Sequence, residues 1–384
     1  MNGTRRFTPL MAAALLLGLA ACNGDAVPPS LSTAANADRT LARESPASSD
    51  AVDETSILKK LTKDVTIGST IDPNNGDGGP HSLSIAKTNA GALKKGEFLV
   101  CNFADKSGTA GKGTTIEALE PQPGSKPSTF ASSGKLDGCA GTAVTDYKSE
   151  VFGAAFSSGV LVALSDGGRA AKTYGAPLAA PFSDADAANP GLYSAEYMFT
   201  SDAATGGILD FSVDRYGFKK PTEVAAGFDV NKKEGWSALG PSGLQYSKKL
   251  DVLYIADGVD DAIDAFTHAS NLLVKDEIVV EKGGTQFKCA HAKTTCGELV
   301  FKGKPLDAPV AMALLPNGNL VAANTAGGNT LVEVAANGKV LATKTVDAGK
   351  TAEIFALAAT GSDDADTALF YTDTKTNTVH ELEQ

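Results

Sequence analysis

The sequence predicts an all-β protein built as one closed ring of repeated sheets, and three observations carry that prediction. Glycine supplies 40 of 384 residues, about a tenth against a usual ~7%, which points to many tight turns and therefore many short strands. Five stretches share one grammar, in which an apolar strand ends on Asn or Asp, crosses a Gly/Asp/Thr-rich turn and resumes as an alternating strand. No amphipathic helix of useful length separates them. A hydrophobic content of 42% with 21% charged residues is that of a globular chain. The net charge of -11 argues against sequence-independent binding of nucleic acid or anionic lipid through a basic face. A single Trp weakens any reading that needs a row of indoles.

The first 22 residues read as an address. Arg5 and Arg6 precede the apolar run LMAAALLLGLAA (10–21), which is too short to span a bilayer as a permanent helix. The run ends in Leu19-Ala20-Ala21-Cys22, which resembles the lipobox of bacterial lipoproteins. The resemblance implies cleavage after residue 21 and acylation of Cys22, anchoring the chain to a membrane through lipid alone. Asn23, in place of Asp, is the kind of residue that permits transport to an outer membrane in such proteins. Cleavage leaves 32 basic against 45 acidic residues, a net charge of -13. Residues 22–56 are rich in Ala, Ser, Asp and Pro and have no period; they read as a disordered, lipid-anchored tether.

Residues 57–384 form the folded domain. The five repeats are FLVCNFADKSGTAGKGTTIEAL (98–119), YMFTSDAATGGILDFSV (197–213), LYIADGVDDAIDAF (253–266), LVAANTAGGNTLVEV (320–334) and LFYTDTKTNTVHEL (369–382). Their shared polar positions are Asn102, Asp202, Asp257, Asn324 and Asp373. A second apolar run lies upstream of several copies, so each unit begins with an inner strand and continues through a hairpin. VFGAAFSSGVLVALSDG (151–167) is a degenerate sixth copy. Five intervals then cover 271 residues, about 54 each, near the length of one four-stranded blade. The expected architecture is a β-propeller of six blades, or seven if residues 120–200 hold two. The last copy supplies only three strands, and KKLTKDVTIGST (59–70) reads as the strand that closes the ring.

ALLPNGNLVAANTAGGNTLVEVAANGKVL (313–341) and DVLYIADGVDDAIDAF (251–266) resemble NHL-type and gluconolactonase-like propeller repeats. Residues 72–119 also resemble a group of secreted bacterial propeller proteins of unknown function. The resemblance covers most of residues 72–384 and speaks to architecture more than activity, since the fold hosts many functions. In gluconolactonase-like propellers it implies a divalent cation held in the axial channel by side chains from several blades.

Beyond Cys22 there are four cysteines, an even number in a chain marked for an oxidising compartment. Cys289 and Cys296 flank a turn and are expected to pin a hairpin, contributing about 2.5 kcal/mol by loop-closure arithmetic. A metal site of Cys289, His291 and Cys296 lacks a fourth ligand nearby. Pairing Cys101 with Cys139 is the economical assignment for the rest, tying a central strand of the first blade to its outer loop.

The candidate channel-lining residues precede expected inner strands: His81, Ser82, Glu150, Ser242 and Glu353. The repeated Asn102, Asp202, Asp257, Asn324 and Asp373 are read instead as turn formers whose side chains bond the following backbone N–H groups. DPNNGDGG (72–79), DGVDDAID (257–264) and GSDDADT (361–367) are acidic enough to suggest calcium, but none completes a calcium loop. GTAGKGTT (108–115) lacks the Walker spacing, and no G-x-S-x-G elbow is present. Trp236 is read as a blade-packing residue. The expectation is a cell-envelope lipoprotein whose propeller binds or scaffolds a small molecule or protein. The alternative is a metal-dependent lactonase or esterase working in the axial channel, with calcium or another divalent cation.

Overall fold

Apolar runs that read as continuous rather than alternating become the central strands of blades, because both of their faces pack against neighbouring sheets. The structure, a computed structural model, describes residues 52–145, 150–188, 196–214, 217–218, 221–231, 240–349 and 351–384. The lipobox with Cys22, most of the expected tether, and Trp236 lie outside the described residues.

The first strand, β1 (Lys63–Ser69), is used last, as the outer strand of the sixth blade. Blade 1 holds β2 (Gly78–Pro80), β3 (Ser84–Ile85), β4 (Phe98–Ala104), β5 (Ala110–Leu119) and β6 (Ser128–Ser132). Blade 2 holds β7 (Cys139–Val144), β8 (Val151–Ala155), β9 (Val160–Leu164) and β10 (Ala170–Tyr174). Blade 3 holds β11 (Pro181–Ala188), β12 (Glu196–Asp202), β13 (Gly207–Asp214), β14 (Gly217–Phe218) and β15 (Thr222–Ala226). Blade 4 runs β16 (Pro241–Ser247), β17 (Val252–Asp257) and β18 (Ala262–Thr267). An inserted hairpin follows, β19 (Ile278–Glu281) and β20 (Gln286–Cys289), before β21 (Cys296–Lys302) completes that blade. Blade 5 holds β22 (Pro309–Leu314), β23 (Leu320–Asn324), β24 (Asn329–Val334) and β25 (Val340–Asp347). Blade 6 holds β26 (Leu357–Thr360), β27 (Ala368–Asp373) and β28 (Thr378–Glu383), closed by β1.

The protein is therefore an all-β, six-bladed propeller. Residues 120–200 supply blade 2 and the start of blade 3, and the degenerate copy at 151–167 is the β8–β9 hairpin. In the ring closure Lys63 stands opposite Glu383 and Ser69 opposite Thr378. The Tyr371 hydroxyl donates to Asp64 (2.6 Å), and His380 Nδ1 lies 3.1 Å from the other oxygen of that carboxylate.

Six buried clusters fill the gaps between neighbouring blades. A seventh, with Phe103, Phe156, Phe182 and Phe355, lies at the axis. Close blade approach is visible at Gly168 in the β9–β10 turn: its φ is +74°, and a Cβ there would sit 1.7 Å from the Phe130 carbonyl oxygen of blade 1.

The N-terminal segment packs across blades 5 and 6. Ile57, Leu58 and Leu61 are buried among Leu315, Val321, Leu331 and Leu369. Glu333 accepts the N–H groups of Ile57 and Leu58 (both 3.0 Å) and the Ser56 hydroxyl. Asn319 donates to the Thr55 carbonyl (3.0 Å), and Glu54 bonds Asn337 and Lys339, so contacts with the blades begin before residue 57.

Both disulfides form, but they join different elements from those expected. Cys139 opens β7, the inner strand of blade 2, rather than lying in an outer loop of blade 1; the Cys101–Cys139 bridge therefore staples β4 to the next blade. Cys289 ends β20, which pairs with β19, whereas Cys296 opens β21, which pairs with β18. β19 in turn adds in parallel to β15 of blade 3. The Cys289–Cys296 bridge thus ties an insertion seated on blade 3 to the outer strand of blade 4, not the two arms of one hairpin.

Candidate functional site: the axial mouth

Three consecutive residues on the inner edge of each blade line the axis, from His81–Leu83 between β2 and β3 in blade 1 to Phe355–Leu357 at the start of β26 in blade 6. They enclose a chamber of about 50 Å³, the size of a few water molecules. Its polar groups come from His81, Ser82, Thr142, Ser183, Asp184 and Gln245. At one end it meets a far larger cavity of about 770 Å³. The hairpin turns 104–110 and 374–377 and the blade connections 71–79 and 351–355 wall this mouth.

His81 and Phe355 line both spaces and separate them. The imidazole is stacked between Phe103 and Phe355, with ring centroids 4.2 and 4.1 Å away. Phe103 meets Phe156 edge-on at 5.8 Å, and Phe156 meets Phe182 at 6.3 Å. His81 Nδ1 lies 3.0 Å from the Gly79 carbonyl oxygen, so Nδ1 carries the proton and donates. Nε2 is buried with no hydrogen-bond partner. Burial pushes this imidazole down to about 4, against the bond to Gly79, so it is neutral at neutral pH.

Asp184 on β11 is the carboxylate of the chamber, and sequence reasoning missed it. Its Oδ1 accepts from the Thr200 hydroxyl (2.7 Å), and its Oδ2 has no partner. Burial raises its carboxyl to about 7, opposed by the Thr200 bond. The only sequence signal is an acid three residues past Pro181 in PFSDADAA, where the inner strand's apolar run is weak.

Of the five residues singled out for the channel, His81 and Ser82 line it. Ser82 Oγ lies 2.9 Å from Thr142 Oγ1 and accepts the Cys101 N–H (3.1 Å). Ser242 lies one residue off the lining and ties blades together, donating to the carbonyls of Ala256 (3.2 Å) and Pro309 (3.3 Å). Glu353 is nearly fully buried but points between blades 5 and 6. It receives the Asn329 amide (2.8 Å) and the Thr351 hydroxyl (3.1 Å), with Lys375 Nζ at 3.5 Å. Burial and the neighbouring Asp347 carboxylate raise its carboxyl, whereas Asp347 is lowered. Glu150 lies in the turn from β7 to β8, at the opposite end of the inner strand from the mouth, because Val151–Ala155 is the second strand of its blade and not the first.

The repeated Asn and Asp residues serve the backbone. Asp257 accepts the Val259 and Asp260 N–H groups, and Asp373 those of Lys375 and Thr376. Asp202 accepts those of Ala204 and Thr205 and also latches the incoming connection through Ala179 and Ala180. Asn102 and Asn324 do not take the expected turn-forming role: their amides donate to the carbonyls of Thr70 (2.8 Å) and Pro305 (2.9 Å) in the incoming connection and to the hydroxyls of Thr115 (3.1 Å) and Thr330 (3.4 Å). In the other acidic turns, Asp72 bonds the N–H groups of Asn74 and Asn75, and Asp366 those of Ser362 and Asp363.

No family model matches the chain, and no curated protein matches it. Solved structures do. A Bacteroides thetaiotaomicron protein of unknown function superposes with a TM-score of 0.51 at 11% identity, over 83% of this chain and 74% of that one. A putative gluconolactonase gives 0.51 at 11% identity, over 80% and 89%. A gluconolactonase of Xanthomonas campestris gives 0.50 at 13% identity, over 80% and 86%. At these identities the likeness shows the propeller fold and no more.

The axial lining does not fit the divalent cation that a gluconolactonase resemblance implies. A hard divalent ion asks for six or more oxygen ligands with several carboxylates among them. Among the described lining residues the acids number one, Asp184, and the only other ionisable donor is the Nε2 of His81, a nitrogen rather than an oxygen ligand. Among the described residues no group of three His, Cys, Asp or Glu side chains converges to hold a metal.

Proposed function

We propose that the propeller is a binding module that takes a small, largely apolar ligand at the axial mouth, and that acylated Cys22 holds it at the cell envelope, on the outer membrane. The cavity of about 770 Å³ carries this reading, since ligand pockets run to about 300–1,000 Å³. Ile71, Phe103, Ala104, Ala110, Ala352 and Phe355 give it an apolar part, with four glycines, and Ser107, Thr325, Thr351, Thr374 and Asn377 give it uncharged polar groups. Its two charged residues are Asp105 and Lys106, and Asp105 is occupied by the N–H groups of Ser107 and Thr109. A concave mouth of this size favours a small molecule over a flat macromolecular surface.

The apolar dye anilinonaphthalene sulfonate tests the mouth. The protein should bind it saturably at one site, and Ala352→Trp, which fills the cavity, should weaken binding at least about tenfold without changing the fold. Equal affinity in both proteins would remove the mouth from the account. For the anchor, cells fed labelled palmitate should label the wild-type chain and leave Cys22→Ser unlabelled and released from membranes. Equal membrane retention of both would refute acylation of Cys22.

A further inference from the structure

Among the described residues the largest concentration of unsatisfied polarity lies away from the axis, in blade 4. Asp257 and Asp264 have no exposed surface. Asp257 Oδ2, Asp260 Oδ2 and both carboxylate oxygens of Asp264 are buried without a hydrogen-bond partner. Buried polar atoms of this kind require a proton, a water or an ion. Among the described residues no three such side chains converge to hold a metal, which leaves protons to neutralise these carboxylates.

The turn of the inserted hairpin lies directly on this cluster. A Cβ on Gly283 would come within 2.2 Å of Asp260 Oδ1, and one on Gly284 within 3.0 Å of Asp264 Oδ2, so backbone covers the carboxyl groups where a side chain could not. Lys302 from β21 donates to Asp260 Oδ1 (2.9 Å) and to the Gly283 carbonyl (2.6 Å).

We propose that the Gly283–Gly284 turn is a pH-sensitive latch, held down while Asp257 and Asp264 carry protons and lifted when they ionise. Neutral carboxyl groups can lie against each other and against the turn's backbone. Ionised, they and Asp260 place three negative charges in one buried space against the single ammonium of Lys302. The charged groups acting on Asp264 are Asp257 and Asp260 from the β17–β18 turn and Lys302 from β21; on the hairpin itself Glu281 is occupied by Lys288. Burial, then the neighbouring acids, raises Asp257 to about 7 and Asp264 to about 8, which puts the change near neutral pH. The protons lost go to solvent. The rest of the hairpin stays docked, because Ile278 and Val280 are buried between blades 3 and 4 and Cys289 is bridged to Cys296.

Hydrogen exchange on the full chain, corrected for the intrinsic effect of pH, reads the latch. Amides of residues 282–286 should lose protection at least about tenfold between pH about 6 and about 9, while the flanking β19 amides do not. Asp264→Asn should reduce that dependence at least about threefold, since only Asp257 is then left to ionise. Should that variant not fold, Asp257→Asn should reduce it, since one of the two ionising groups is gone. Constant protection in the wild type, or an unchanged loss in both variants, would overturn the proposal. So would restoration of protection at the higher pH by stoichiometric calcium chloride, which would make the cluster a cation site.

Discussion

Glu117 lies on β5 with no exposed surface, neither of its carboxyl oxygens has a hydrogen-bond partner among the described residues, and the Asp72 carboxylate is the charge that acts on it most. Burial, then Asp72, pushes it up to about 9. In the unfolded chain it ionises near 4.3, so between those values the folded state holds a proton that the unfolded state lacks. Stability therefore falls as pH rises through that window, by at most about 1.4 kcal/mol per pH unit for this group. Glu117→Gln keeps the side chain's shape and does not titrate. Its melting temperature should fall less than that of the wild type between pH about 5 and about 8, and identical slopes would show that Glu117 is already ionised. None of this was legible in TTIEAL, where Glu117 reads as the polar member of an alternating strand. His81 was legible because GPHSLSIA precedes an apolar run. Asp184 was not, because its strand alternates Asp and Ala and carries no apolar run to mark it as inner.

At the scale of elements, the central strands and the closing strand were readable from periodicity and turn chemistry, since both are local. What periodicity does not carry is which neighbour a strand joins. Val151–Ala155 has the composition of an inner strand but is the second strand of blade 2, and that one-strand shift moved Glu150 from the far turn to the channel in the sequence reading. The same shift hid the nature of the Cys101–Cys139 bridge. As an inter-blade staple closing a span of 38 residues, it is worth about 4 kcal/mol by chain entropy. Denaturant titration of Cys101→Ala/Cys139→Ala should show a loss of that order. A loss below about 1 kcal/mol would mean that the buried packing of blades 1 and 2, with Leu99, Ile116 and Val151, fixes their contact unaided. The inserted β19–β20 hairpin was not legible: the local pattern placed a hairpin turn between Cys289 and Cys296 instead, and the parallel docking of β19 on blade 3 is a long-range pairing that no local signal announces.

At the scale of the whole molecule, ring closure turns six weakly similar repeats into one axial site. Each blade contributes three residues to the chamber, so the site's chemistry is spread over the chain at intervals of about 54 residues. No sequence motif is to be expected for such a site. What the ring concentrates at its mouth is a patch of aromatic and aliphatic surface around a stacked, neutral histidine, rimmed by threonine and serine hydroxyls, with a single carboxylate in the chamber below it. That arrangement suits reversible binding of an apolar molecule. The most direct test is a crystal structure of the propeller grown with anilinonaphthalene sulfonate. One dye molecule is expected in the mouth, above His81 and between the 104–110 and 351–355 segments. Dye bound only elsewhere, with the mouth closed by its own side chains, would contradict it.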